Sequence, residues 1–417
     1  MDIKGKKLLV LGGNAISCEI VSAAKELGLY TVVTDWNRPE DSPAKLMADE
    51  YWNDSLMDYD TLVPKIKNHQ IDGIITGFAD SYLLPYQHLC EMTGLPCYAS
   101  KEVFETTMDK AKFKQLCKDN GVPVIPEYNL ESFDPQIISK TNKVIVKPID
   151  NSGSRGVIIC DSPQDFGKCL EYALSYSKQK KVIIEKYMEL ESISASYSIQ
   201  DGVISLSTLN DRYVHKSFDG SAVTCLSIYP SRYTDRYLET LNGKVVAMYK
   251  NAGIRNGLLS LQFFTDGTHF YAMEMGHRLT GGQHYTYSKM ENGISSLDCL
   301  LHFAVTGEMA DFPISSKENA RFEHTYCHLY ILGKEAKIAR MEGMDYLSSL
   351  PQTIRLSKMK NVGDTIGKDG TSSQKIVGLH LKIQDRTELK QLLVNIYDHF
   401  HVYDENGNEL VIKIDTY

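Results

Sequence analysis

The chain has 417 residues, 42% of them hydrophobic and 24% charged, with a formal net charge of −8. That length holds several domains with ample core, and an acidic balance without a basic cluster argues against a nucleic-acid partner. No apolar run reaches membrane-spanning length and the N-terminal run is too short for a signal-peptide core, so no membrane partner is expected; nine cysteines, an odd number with no Cys-x-x-Cys, read as reduced thiols of a cytoplasmic protein.

Residues 6–34 read as strand, helix, strand. Lys7 to Leu11 is a short apolar run and Gly12-Gly13-Asn14 a turn. Ile16, Ile20, Val21, Ala24 and Leu27 carry helical spacing up to Gly28, and Tyr30 to Thr34 is the next strand, ending at Asp35. Ile71 to Thr76 repeats the strand pattern before Asp80. The alternation predicts a parallel sheet with helices on both faces, its ligand crevice at the strand C-termini near Gly12, Gly13, Asn14, Asp35 and Asp80. The turn lacks G-x-G-x-x-G, and no P-loop motif occurs anywhere.

From Met108 the pattern changes. Asp109-Lys110 opens a helix that runs to Cys117. Lys143 to Pro148 is a strand, followed by the loop Asp150 to Gly156 and a strand at Val157 to Cys160. Residues 163–179 read as helix and Val182 to Met188 as strand. Ser192 to Tyr213 reads as antiparallel strands turned at Asp201-Gly202, and residues 231–252 as one long amphipathic helix. Two apolar strands around Thr265-Asp266-Gly267-Thr268 follow, and then a short helix at Leu297 to Thr306. The last hundred residues read as a separate unit: strands at Thr325 to Leu332, Ile376 to Leu381 and Glu409 to Ile414, and a helix at 386–399.

The hairpin carries the most chemistry. Pairing its arms brings the Gln262 amide and the Glu274 carboxylate together with Arg278 just beyond, which are ligands for a hard phosphate-bearing cation and a clamp for a developing charge. The ordinary alternative is a hairpin with one carboxylate paired to one arginine. Lys110 at a helix start, Lys147 at a strand end, and the loop of Ser152, Gly153, Ser154, Arg155 and Gly156 supply the cations and close backbone N–H groups that a triphosphate needs. His277 and His284 flank this region as substrate contacts or structural histidines. Asp211, Arg212, His215 and Lys216 line an acceptor pocket or form a solvated charged loop.

In this ordered combination the sequence resembles the ATP-grasp superfamily, which includes biotin carboxylase, the carbamoyl phosphate synthetase large chain and the carboxylate–amine ligases. The resemblance implies an α/β and α+β multidomain fold. A Rossmann-like pre-ATP-grasp domain would span 1–105, the ATP-grasp body 106–310 with a lid at about 115–188, and a small C-terminal α+β domain 311–417. It implies ATP with magnesium, or manganese in its place. Lys110 and Lys147 would contact phosphates and the loop Ser152–Gly156 would cover them. Glu185, Lys186 and Met188 would hold adenine, Glu191 the ribose, and Gln262 and Glu274 the metal. Arg278, with Arg155 from the lid, would stabilise the intermediate. The implied activity joins a small-molecule carboxylate, activated as acyl phosphate, to an amine, in a chain whose relatives are often homodimers.

Two positions depart from the family pattern. Gly276 stands where the motif Glu-x-Asn-x-Arg has asparagine, and neutral Gln262 stands where many members have an acid. Gly276 keeps a non-catalytic nucleotide binder open as a reading, and the resemblance to biotin carboxylase keeps open a bicarbonate-dependent carboxylase-type enzyme.

Overall fold

The computed structural model describes residues 2–150, 156–217 and 221–414. Its N-terminal region is a four-stranded parallel sheet in the order Glu50–Trp52, Tyr30–Thr34, Lys7–Leu11, Gly73–Thr76. Leu8 to Leu11 and Val32 and Val33 are all buried, as expected of strands covered by helices on both faces. The covering helices include Cys18–Glu26, Tyr59–Asn68 and Leu83–Thr93, with Ser296–Thr306 arriving from 220 residues further along the chain to share the same core. Gly73 permits that last contact: a Cβ there would stand 2.0 Å from the Ala304 carbonyl oxygen.

A smaller antiparallel sheet follows in the order Glu127–Tyr128, Val182–Lys186, Val144–Pro148, Ile158–Cys160. Helix Phe166–Ser175 packs on it around Val144, Val146, Cys160, Cys169, Ala173 and Ile184, a core of its own.

The third sheet is antiparallel and large. It runs Phe270–Gly276, Gly257–Thr265, Glu191–Gln200, Val203–Lys216, Ala222–Tyr229, Thr325–Gly333, Lys375–Ile383, Thr353–Lys358, with Val411–Ile412 beside Thr325–Gly333. Ala222–Tyr229 pairs directly with Thr325–Gly333, so strands of the last hundred residues extend the central sheet instead of forming a sheet apart. Helix Arg386–His399 covers this end.

The long helix expected at 231–252 is two helices, Thr234–Thr240 and Asn242–Asn251. The break is at Leu241, whose φ of −128° leaves the helical region while its side chain stays buried. Amphipathic spacing continues through such a break because both segments cover the same core, and periodicity alone does not reveal it.

Candidate active site

The two antiparallel sheets and the helix Lys110–Asp119, with Asp80 from the N-terminal region, line a cavity of about 890 Å³. Its lining includes Lys110, Lys147, Glu185, Lys186, Met188, Glu191, Gln262 and Glu274, which come from stretches as far as 164 residues apart. Asp109 caps the helix, its carboxylate accepting from the backbone N–H groups of Ala111 and Lys112 at 2.8 and 2.9 Å. That cap places Lys110 on the first turn, where Nζ donates to the Pro148 carbonyl at 3.4 Å. Burial holds the Lys110 ammonium below its ordinary pKa, with Lys147 adding to the effect and Glu274 and Glu185 opposing it.

One helical turn on, Lys114 lies on the same face. It donates to Glu185 and Glu127. Glu185, on Val182–Lys186, also takes Lys147 Nζ at 2.6 Å, from the adjacent strand Val144–Pro148. Burial raises the Glu185 pKa, but Lys147 and Lys114 outweigh it and the carboxyl titrates below its ordinary range. Glu185, expected at adenine, therefore has both oxygens engaged by ammonium groups, and what it does in this structure is hold Lys147. Lys114 was not anticipated as a site residue; its i, i+4 spacing from Lys110 was the available signal.

Gln262 and Glu274 face each other in register across the hairpin, next to a bulge at Gln262/Phe263. The turn is held by Asp266, which accepts from the N–H groups of Thr268 and His269 at 2.8 and 2.7 Å. Glu274 is exposed to the cavity. Of the described acidic residues lining it, Glu274 alone makes no hydrogen bond or ion pair within the chain: Asp80, Asp150, Glu185 and Glu191 are each engaged. Lys110, Arg212 and Arg278 all lie within its electrostatic reach. The Gln262 amide oxygen accepts from Arg212 Nη1, a contact the sequence did not specify.

At the rim, Glu191 receives Arg232 at 2.9 Å and the Tyr233 hydroxyl. Lys186, Met188 and Lys216 line the same side. Arg278 lies behind the lining: Nε and Nη2 grip Asp80 at 2.6 and 2.8 Å, and Nη1 donates to the Leu279 carbonyl at 3.1 Å. Asp80 itself lines the cavity. Gly156 is not in the lining either. Its φ is +79° and a Cβ would meet Tyr176 at 2.5 Å, so glycine there serves close packing. Ser152, Gly153, Ser154 and Arg155 lie outside the described residues.

Other expectations need correction. Asp35 does not face a crevice. It is buried and accepts from Gly13 N–H and the Ser42 hydroxyl at 2.8 Å each, and it pairs with Lys45 at 2.8 Å. It fixes the strand end instead of presenting a ligand contact. His277 and His284 are buried away from the cavity, and burial pushes each down to about 4, so both are neutral near pH 7. His215 pairs with Asp369 and Asp211 with Arg386, and neither His215 nor Asp211 lines the cavity, whereas Arg212 and Lys216 do.

No family model matches the chain. The formate-dependent phosphoribosylglycinamide formyltransferase of Prochlorococcus marinus (strain MIT 9303) is 23% identical over 288 residues, covering 67% of this chain and 71% of that protein. The structure of an L-amino acid ligase from Bacillus licheniformis superposes with a TM-score of 0.77 at 17% identity, over 96% of this chain and 99% of that one. The biotin carboxylase domain of the Hydrogenobacter thermophilus 2-oxoglutarate carboxylase, in complex with MgADP, ADP and bicarbonate, does so with 0.74 at 20% identity, over 97% and 91%. The described residues contain no helix long and apolar enough to cross a membrane. The chain thus shares an alignable sequence with the first of these enzymes and, along nearly its whole length, the ATP-grasp fold of the other two.

Proposed function

We propose that the cavity binds ATP with magnesium, and that the protein activates a small-molecule carboxylate as acyl phosphate for attack by an amine, releasing ADP and phosphate. The observation that carries this reading is Glu274, a carboxylate without an internal partner, set opposite an amide oxygen among three cationic side chains. Carboxylate and amide oxygens are the donor set of a hard cation, and the surrounding cations match phosphate oxygens. Glu274 would hold the magnesium, which would supply positive charge to offset that of the phosphates.

Lys110 and Lys147 neutralise the polyphosphate. Lys147 is aimed by Glu185, which is in turn held by Lys114, so the ammonium is positioned before the nucleotide arrives. The segment Lys186 to Met188 offers its backbone to adenine, and Glu191 at the rim offers a carboxylate to the ribose hydroxyls. Arg278 stands one side chain back, on Asp80, and stabilises the charge that develops when the carboxylate oxygen attacks the γ-phosphorus. The amine then attacks the acyl carbon and phosphate departs. Small molecules are the substrates in this reading, the setting is cytoplasmic, and the biotin carboxylase domain dimer suggests a homodimer.

The test is phosphate release from ATP with magnesium across amino acids, other carboxylates and bicarbonate. The expected result is ADP and phosphate formed only with an organic acid and an amine present. Conversion of ATP to AMP would refute the acyl-phosphate route. Release with bicarbonate alone would favour the carboxylase reading.

A further inference from the structure

Arg212 lies on Val203–Lys216 with its guanidinium in the cavity wall. Nη1 donates to Gln262 Oε1 and, at 3.2 Å, to Ser192 Oγ; Nη2 donates to Thr224 Oγ1 at 2.9 Å. Every one of these acceptors is neutral, and no described carboxylate lies within ion-pair distance. A half-buried cation with no acid beside it carries a desolvation cost that no counter-charge offsets, and such groups stand at functional sites more often than elsewhere. The nearest acid in electrostatic terms is Glu274, across the hairpin from the amide that Arg212 holds.

The same place offers little to a second divalent ion. The Gln262 oxygen already accepts from a charged donor, and a metal on it would stand against the guanidinium. Gly276 contributes no ligand, and a Cβ there would come within 3.3 Å of Ser260 Oγ and 3.7 Å of Arg278 Cζ. Among the described residues no group of three or more His, Cys, Asp or Glu gathers.

Resting on the nucleotide reading above, we propose that Arg212 is a built-in replacement for a second metal: held by Gln262 beside Glu274, it neutralises the phosphates, and the chain binds one divalent ion per nucleotide, on Glu274. Gln262 is then the anchor of the arginine before it is a ligand of the metal.

Counting bound Mn²⁺ by electron paramagnetic resonance, with protein in excess over ADP, tests this. The wild-type protein is expected to hold one Mn²⁺ per bound ADP, and Arg212→Lys to keep that count. Arg212→Met is expected to weaken ADP binding roughly thirtyfold or more, as truncation of a charged donor to a bound anion does. The double variant Arg212→Met/Gln262→Glu, which opposes two carboxylates with no guanidinium between them, is expected to hold two ions. Two ions in the wild-type protein would overturn the proposal, and that count stands even if a variant fails to fold. Failure of ADP to bind the wild-type protein would instead overturn the nucleotide reading itself.

Discussion

Replacing Glu185 by glutamine changes the most heavily loaded carboxylate in the cavity wall. Glu185 is 2% exposed at the side chain and bridges Lys147, at 2.6 Å, and Lys114. Unit charges about 4 Å apart attract by roughly 4 kcal/mol at an effective dielectric of about 20, and two ammonium groups act here at closer range. Desolvation offsets much of that attraction, but the neutral variant leaves the largely buried Lys147 ammonium without its acid, while Lys114 keeps Glu127, and removing one partner of a buried pair costs about 3–5 kcal/mol. At about 2 °C per kcal/mol for a large domain, Glu185→Gln should melt roughly 6–10 °C lower than the wild-type protein. The sign of the pH dependence follows from the depressed carboxyl pKa: the contribution is present in full above the ordinary glutamate value of 4.5 and is lost as pH falls through the lower folded value. Thermal melts at several pH values read both quantities. Glu191→Gln is the control, since its carboxylate is 48% exposed and surface pairs contribute little, so it should melt within about 2 °C of wild type. A Glu185→Gln protein that melts with the wild type at pH 7, or a gap that closes well above pH 4.5, would refute the reasoning.

Two further perturbations read other parts of the structure. Burial pushes His277 from 6.5 down to about 4, so the unfolded chain takes up a proton first and stability falls as pH drops from 6.5 toward 4; His277→Gln should flatten that fall by roughly 3 kcal/mol in denaturant titrations, and a pH-independent difference would count against it. Gly73→Ala drives a methyl to 2.0 Å from the Ala304 carbonyl and should lower stability by about 1–3 kcal/mol, whereas Gly167→Ala, on a helix with open space around it, should be neutral or stabilising by up to about 1 kcal/mol.

What the chain made legible was local. The Gln262–Glu274 opposition follows from a turn sequence between two alternating apolar runs, and the Lys110 position from an aspartate in front of a helical pattern; neither needs knowledge of distant residues. The roles that were not legible depend on partners far along the chain. Arg278 meets Asp80 across 198 residues, Arg212 meets Gln262 across 50, and Glu185 meets Lys114 across 71. A motif assigns Glu185 to adenine, but the charge it faces is set by which helix packs against its strand. The apparent separateness of the last hundred residues has a similar origin. Strand patterns mark where strands are, and the pairing of Ala222–Tyr229 with Thr325–Gly333 is not written in either one. Asp35 shows the converse: a strand-end acid suits a ligand and a cap equally, and the lysine ten residues later settles it.

The central claim is that Glu274 completes a magnesium-dependent nucleotide site, and calorimetric titration of ADP with and without magnesium, on the wild-type protein and on Glu274→Gln, tests it most directly. The structure predicts that magnesium tightens ADP binding to the wild-type protein by tenfold or more, about 1.4 kcal/mol. It predicts that Glu274→Gln, which loses no internal contact, folds and melts as the wild type does and shows no such tightening. Magnesium enhancement retained in Glu274→Gln, or absent from the wild-type protein, would contradict the account.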